Sequence, residues 1–123
     1  MSNCIFCKII NKEIPGKIIY EDDVCIAFLD LSQATYGHTL VIPKKHFENI
    51  LEVDAQTLAH VMQVTQKLAK QIVEKLNAKG LNILTNTNEV AGQTVHHSTF
   101  IFYLDTLKKN LLLNLMIIVK MLI

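Results

Sequence analysis

Alternating apolar and polar residues mark the early part of the chain as sheet. Lys17 to Glu21 and Val24 to Asp30 read as two strands, with the acidic pair Asp22-Asp23 supplying the turn between them. His38 to Pro43 reads as a third strand, entered through Gly37 and ended by Pro43, which has no N–H to give to a ladder. From Asp54 to Leu76 the period becomes helical: Leu58, Val61, Met62, Thr65, Leu68, Ala69, Ile72, Val73 and Leu76 recur at threes and fours. Asp54 is placed to cap the first turn of this helix, and Gly80 to close it in the left-handed conformation. Leu81 to Thr85 reads as a fourth strand, Asn86 to Gly92 as a turn-rich loop, and Thr94 onward as a fifth strand whose Phe100, Phe102 and Leu104 keep one face apolar. The pattern predicts an α+β domain, an antiparallel sheet with one principal helix. Within it Met62 and Cys25 are expected to be core side chains, and His60 and His96 surface ones.

Composition narrows the picture. The chain has 123 residues, enough for one domain, and a formal net charge of +1, which gives no electrostatic footprint for nucleic acid. The last stretch, Leu107 to Ile123, contains no acidic residue and is mostly Leu, Ile, Met, Asn and Lys. Its Leu111 to Ile123 run is interrupted by Asn114 and Lys120 and falls short of the about 20 apolar residues a membrane span requires, so integral membrane association is not expected. No basic region followed by an apolar core opens the chain, so no signal peptide is expected. Three cysteines, two of them in Cys4-Ile5-Phe6-Cys7, suit a reduced cytoplasm.

Four segments carry candidate chemistry: Cys4-Ile5-Phe6-Cys7-Lys8-Ile9-Ile10, Phe28-Leu29-Asp30, Gly37-His38-Thr39-Leu40-Val41-Ile42-Pro43-Lys44-Lys45-His46, and Gly92-Gln93-Thr94-Val95-His96-His97. Taken together, from Asn3 to about His97, they resemble the histidine triad (HIT) family of nucleotide hydrolases and transferases, in its bacterial form. The family signature is Gly-Gln-Ser/Thr-Val-x-His-x-His-x-His. Here only its first histidine, His97, is present; the second position, which in the family attacks the α-phosphate, is Thr99, and the third is Ile101. The resemblance implies a HIT-like fold, with a five-stranded antiparallel sheet, one principal helix and a short N-terminal helix. It also divides the chain into a domain over 1–105 and an aberrant tail over 106–123.

A single lost base accounts for the break. If Ser98 to Thr106 is written TCC ACT TTC ATA TTT TAC CTC GAT ACN, one T placed in front turns the reading into Phe-His-Phe-His-Ile-Leu-Pro-Arg-Tyr. That restores the triad after His97 and the apolar-Pro-Arg-Tyr run common in bacterial members. The acid-free tail matches an A/T-rich gene read out of frame. Ordinary divergence to an inactive paralogue is the competing explanation.

The remaining assignments follow from the resemblance, residue by residue. Cys4, Cys7, His46 and His97 map onto the ligands of zinc-containing bacterial members; on spacing alone, a reduced thiol pair and a loop-capping His46 explain the same residues. Asp30 would receive the ribose hydroxyls, and Phe28 and Leu31 would lie near the base. Asn86, Gln93, Thr94 and Val95 would meet the phosphate, with His97 and His38 as the surviving catalytic positions. An intact triad would form a nucleotidyl-histidine intermediate from nucleoside phosphoramidates or diadenosine polyphosphates. Without the middle histidine, the expectation is purine nucleotide binding with little or no turnover, in a homodimer built on the principal helices and adjoining strands. A scaffold dimer and a non-functional truncated product are the alternatives.

Overall fold

The computed structural model describes residues 3–29 and 38–105. Its order is α1 (Ile5–Ile10), β1 (Lys17–Glu21), β2 (Cys25–Leu29), β3 (Thr39–Pro43), α2 (Ala55–Leu76), β4 (Gly80–Leu84), a 3-10 turn (Glu89–Ala91) and β5 (Phe100–Asp105). The five strands form one antiparallel sheet in the order β1-β2-β3-β5-β4. This is the α+β arrangement that the periodicity predicts, with the short N-terminal helix that the resemblance implies. Asp30, Leu31 and the 106–123 tail lie outside the described residues.

The sheet is covered on both faces, which explains why β2 and β3 are buried almost without interruption. One face packs Cys25, Ala27, Val41, Phe100 and Phe102 against Val61, Val64, Leu68 and Ala69 of α2. On the other, Ile26, Phe28, Leu40 and Ile42 gather Ile9 and, at the margin, Phe6 and Ile101. The register Leu40↔Ile101 and Val41↔Phe100 puts β5 beside β3 at the centre of the sheet. The last residues of the chain that follow His97 are therefore structurally central as far as β5.

Three sequence expectations need correction. The left-handed residue that ends α2 is Asn77, at φ 51°, with the Ala78 N–H donating to Val73 O; Gly80 instead opens β4. Asparagine tolerates this conformation because its short polar side chain satisfies local backbone groups. The fifth strand begins at Phe100 rather than Thr94, because His97 and its neighbours are drawn off the sheet edge by the interactions described below. Met62 is 38% exposed, while Val64, unremarked in the helical stripe, is in the core. Asp54 does cap α2, accepting from the Thr57 N–H at 3.0 Å, and Cys25 is fully buried.

Candidate functional site

Two neighbouring features are built where α1, the end of β3 and the segment before β5 converge. The first is a quartet of metal-ligating side chains. Cys4 is the N-cap of α1 and Cys7 lies one turn along it, so one short helix presents both sulfurs; the Cys7 N–H donates to Cys4 Sγ at 3.4 Å. His46 follows β3 and His97 precedes β5. Cys7 Sγ lies 3.2 Å from His46 Nδ1 and 3.6 Å from His97 Nδ1, and Cys4 Sγ lies 3.5 Å from His97 Nδ1. All four ligand atoms lie within 4.8 Å of one another, so the group could hold a metal ion.

The surroundings of His97 fix how it is used. Its Nε2 donates to the Pro43 carbonyl at 2.8 Å, which assigns the tautomer and leaves the Nδ1 lone pair toward the sulfurs. Burial holds its pKa below the ordinary value, only partly offset by the Pro43 hydrogen bond, so the ring is neutral, as a ligand must be. Burial likewise raises the Cys7 thiol to about 11, with the Cys4 hydrogen bond contributing. Its Nδ1 faces the two sulfurs, and its ring also borders the cavity described next.

The second feature is an adjoining cavity of about 460 Å³, lined in part by α1 and by His97. Ile5, Phe6 and Ile9 of α1, Phe28 and Leu40 of the sheet, and Ile101 make its apolar wall; His38, Asn86, Thr94, Val95, His97, Thr99 and Tyr103 add polar groups. His38 is buried, its ring 4.5 Å from that of Tyr103 between centroids. Every described residue that the sequence assigns to nucleotide contact or catalysis lines this one space. Phe6 and Tyr103, to which the sequence assigns no role, line it too; the alternation of β5 already places Tyr103 on the same side as Ile101.

Gln93 borders the cavity, but its amide is fully engaged by the protein. Its Nε2 donates to Glu48 O at 2.6 Å and Val95 O at 3.1 Å, and its Oε1 accepts the Asn88 N–H at 2.8 Å. It thereby fixes the loop that carries Thr94 and Val95. Gly92 completes this loop at φ 103°, a left-handed conformation that strains any residue with a Cβ. Thr99 donates its hydroxyl to His97 O at 2.6 Å. Ser98, just past the break, is 1% exposed, and its hydroxyl finds no hydrogen-bond partner among the described residues.

A second polar cluster lies behind the sheet. His60 of α2 meets Asp22 Oδ2 at 2.7 Å, and Tyr20 donates to the same oxygen at 2.7 Å, while Val24 N–H and Cys25 N–H donate to Oδ1. Burial would raise the Asp22 pKa, but these hydrogen bonds outweigh it and hold the carboxyl below the usual range. His60 is thus tied to the β1–β2 turn rather than a plain surface residue. His96 is surface, within 3.3 Å of Glu48 and 3.6 Å of Glu89.

Comparison with known proteins agrees with this geometry. The HIT domain family model matches residues 11–98. Protein hit of Bacillus subtilis is 48% identical over 95 residues, which cover 77% of this chain and 66% of that relative. A Hit-like protein involved in cell-cycle regulation from Bartonella henselae superposes with a TM-score of 0.84 at 39% identity, over 88% of this chain and 84% of that one. A hypothetical histidine triad nucleotide-binding protein from Sulfolobus tokodaii gives 0.82 at 43% identity, over 87% of this chain and 71% of that one. No helix among the described residues is long and apolar enough to cross a membrane. With the fold, the motifs and the matched length in agreement, this chain belongs to the HIT domain family.

Proposed function

We propose that this chain is a zinc-containing, purine-nucleotide-binding protein derived from a nucleotidyl hydrolase, and that it has little or no turnover as its sequence stands. The observation that carries this reading is one cavity lined by the described residues at the family's pocket positions, with Thr99 at that of the nucleophile. Phe6, Phe28 and Ile9 offer an apolar seat for a base. Asn86, Thr94 and the Val95 backbone, on the loop that Gln93 holds, offer donors to a phosphate. Asp30 would accept from the ribose hydroxyls and Leu31 would flank the base. The nucleotide-binding description of the Sulfolobus tokodaii relative supports the same class of ligand.

Catalysis by the family route requires an imidazole to attack phosphorus and carry the nucleotidyl group. Thr99 has no such nitrogen, and its hydroxyl proton is already engaged by His97 O. Neither nitrogen of His97 is free to serve as its base. Removing the nucleophile from a hydrolase costs roughly 10⁶-fold in rate.

The donor chemistry fits zinc. Bonds of about 2.3 Å to sulfur and about 2.05 Å to nitrogen at the tetrahedral angle place S and N about 3.6 Å apart. The three S···N distances, 3.2, 3.5 and 3.6 Å, lie close to that edge. Bound zinc would supply a structural cross-link between Cys4, Cys7, His46 and His97. Because it needs free thiols, the protein belongs in a reducing compartment such as the cytoplasm. Edge strand β4 exposes Ile83, and α2 exposes Met62 and Leu76, apolar surface that suits pairing with a second copy.

The domain over 1–105 and the tail over 106–123 follow from the same reading, with a base lost before codon 98. Two experiments test the proposal. Titration of the zinc-loaded protein with AMP should show saturable binding, and its absence would remove the nucleotide reading. Sequencing the gene across codons 95–106 should recover the missing base. A confirmed frame would leave divergence as the cause of the lost triad.

A further inference from the structure

We infer that the metal centre and the nucleotide cavity are coupled through α1, so that loading the ion strengthens nucleotide binding and a bound nucleotide strengthens ion binding. This rests on the zinc and nucleotide readings above and adds a regulation to them.

The argument begins with the size of α1. Six residues are too few for a helix to be stable alone, because nucleation consumes most of what one or two turns return. Among the described residues, its backbone hydrogen bonds stay within 4–13, so no ladder ties it to the sheet. What holds it is packing: Phe6 meets Phe28 edge-on with ring centroids 5.4 Å apart, and Ile9 joins the cluster of Ile26 and Ile42.

This weakly anchored helix faces both features. Cys4 and Cys7 give it half of the metal quartet, while Ile5, Phe6 and Ile9 make it a wall of the cavity. His97 is shared in the same way, with Nδ1 in the quartet and its ring on the cavity lining. Four ligands drawn to one ion cross-link the first turn of α1 to the segments after β3 and before β5. A nucleotide resting on Phe6 and Ile9 requires the same helix in the same place. The ordering cost of α1 is met once, by whichever binds first, and the second binds more tightly. Linkage makes the factor equal in both directions.

The full-length protein tests this with AMP and zinc as probes. AMP is titrated into zinc-loaded and chelator-stripped protein, and zinc affinity is measured by competition with and without saturating AMP. The expected coupling is about tenfold, within the usual range for linked sites, and the same in both experiments. Cys4→Ser separates the ion from the helix start, since serine still accepts the Cys7 N–H as an N-cap but is a poor zinc ligand. This variant should bind AMP like stripped protein and ignore added zinc. AMP affinities equal within twofold, with circular dichroism unchanged, overturn the coupling and leave nucleotide binding standing. Loss of the α2 signal on chelation also overturns it, because the ion then holds the whole domain rather than one wall. Zinc binding without AMP binding in either state removes the nucleotide reading and the coupling together.

Discussion

The two faces of the segment from His97 to Tyr103 differ in what the break has done to them. Residues 97, 99, 101 and 103 line the cavity, whereas Phe100 and Phe102 are buried against α2. On the α2 side the residues satisfy the fold: any large apolar side chain of about the right volume fills a sheet–helix interface. On the cavity side the family needs histidine at two further positions, and it has Thr99 and Ile101. Packing tolerates many residues at a position, and nucleophilic catalysis tolerates few. A segment can therefore close a sheet while its cavity side lacks those histidines.

The sharpest way to break this comparison is to repair the cavity face alone. The double substitution Thr99→His with Ile101→His should raise adenosine phosphoramidate hydrolysis by orders of magnitude, up to the roughly 10⁶-fold a nucleophile is worth. A trapped nucleotidyl-enzyme would identify the route. If the rate stays at background, the defect extends beyond that face. Next in size, Phe102→Ala should cost about 3–5 kcal/mol in urea denaturation, since it empties a fully buried aromatic site. A cost below 1 kcal/mol would mean that the α2 side is not well packed either.

The Asp22 cluster, at the β1–β2 turn, provides a control outside the cavity lining. Asp22→Ala leaves Val24 N–H, Cys25 N–H and the Tyr20 hydroxyl without their acceptor, at about 1–3 kcal/mol. Its carboxyl has a lowered folded pKa, so the stability it contributes is present above its ordinary 3.8 and is lost as the pH falls below that. The hydrogen bond to Asp22, followed by burial, raises Tyr20 to about 12, so its contribution is present below its ordinary 10 and is lost as the pH rises through the folded value. Melting temperature should therefore fall below about pH 4 in the wild type and less steeply in Asp22→Ala. The smallest effect expected is a gain: Ser98→Ala removes the buried unpaired hydroxyl and should stabilise by about 1 kcal/mol.

Much of this was legible in the sequence because the signals were local and repeated. The β1 limits follow from alternation and the start of α2 from Asp54, and the cavity residues were gathered by their motifs. What was not legible depended on tertiary partners. Asn77 took the helix end from Gly80 because a local cap formed first along the chain. The strand after His97 started late because the Pro43 carbonyl and the two sulfurs claim that histidine. His60 showed only helical spacing, and its bond to Asp22 needed the packing of α2 on the sheet. Geometry also separates the quartet from the Asp22 cluster: S···N distances of 3.2 to 3.6 Å leave room for an ion, whereas the 2.7 Å contact of His60 with Asp22 is already a hydrogen bond.

The central claim is that the cavity survives while its nucleophile is gone. Its most direct test is AMP release from an adenosine phosphoramidate by zinc-loaded protein whose intact mass matches the 123-residue sequence. The account predicts AMP binding with a rate no higher than that of a Thr99→Ala variant. Turnover well above that variant, from protein of verified mass, would contradict it.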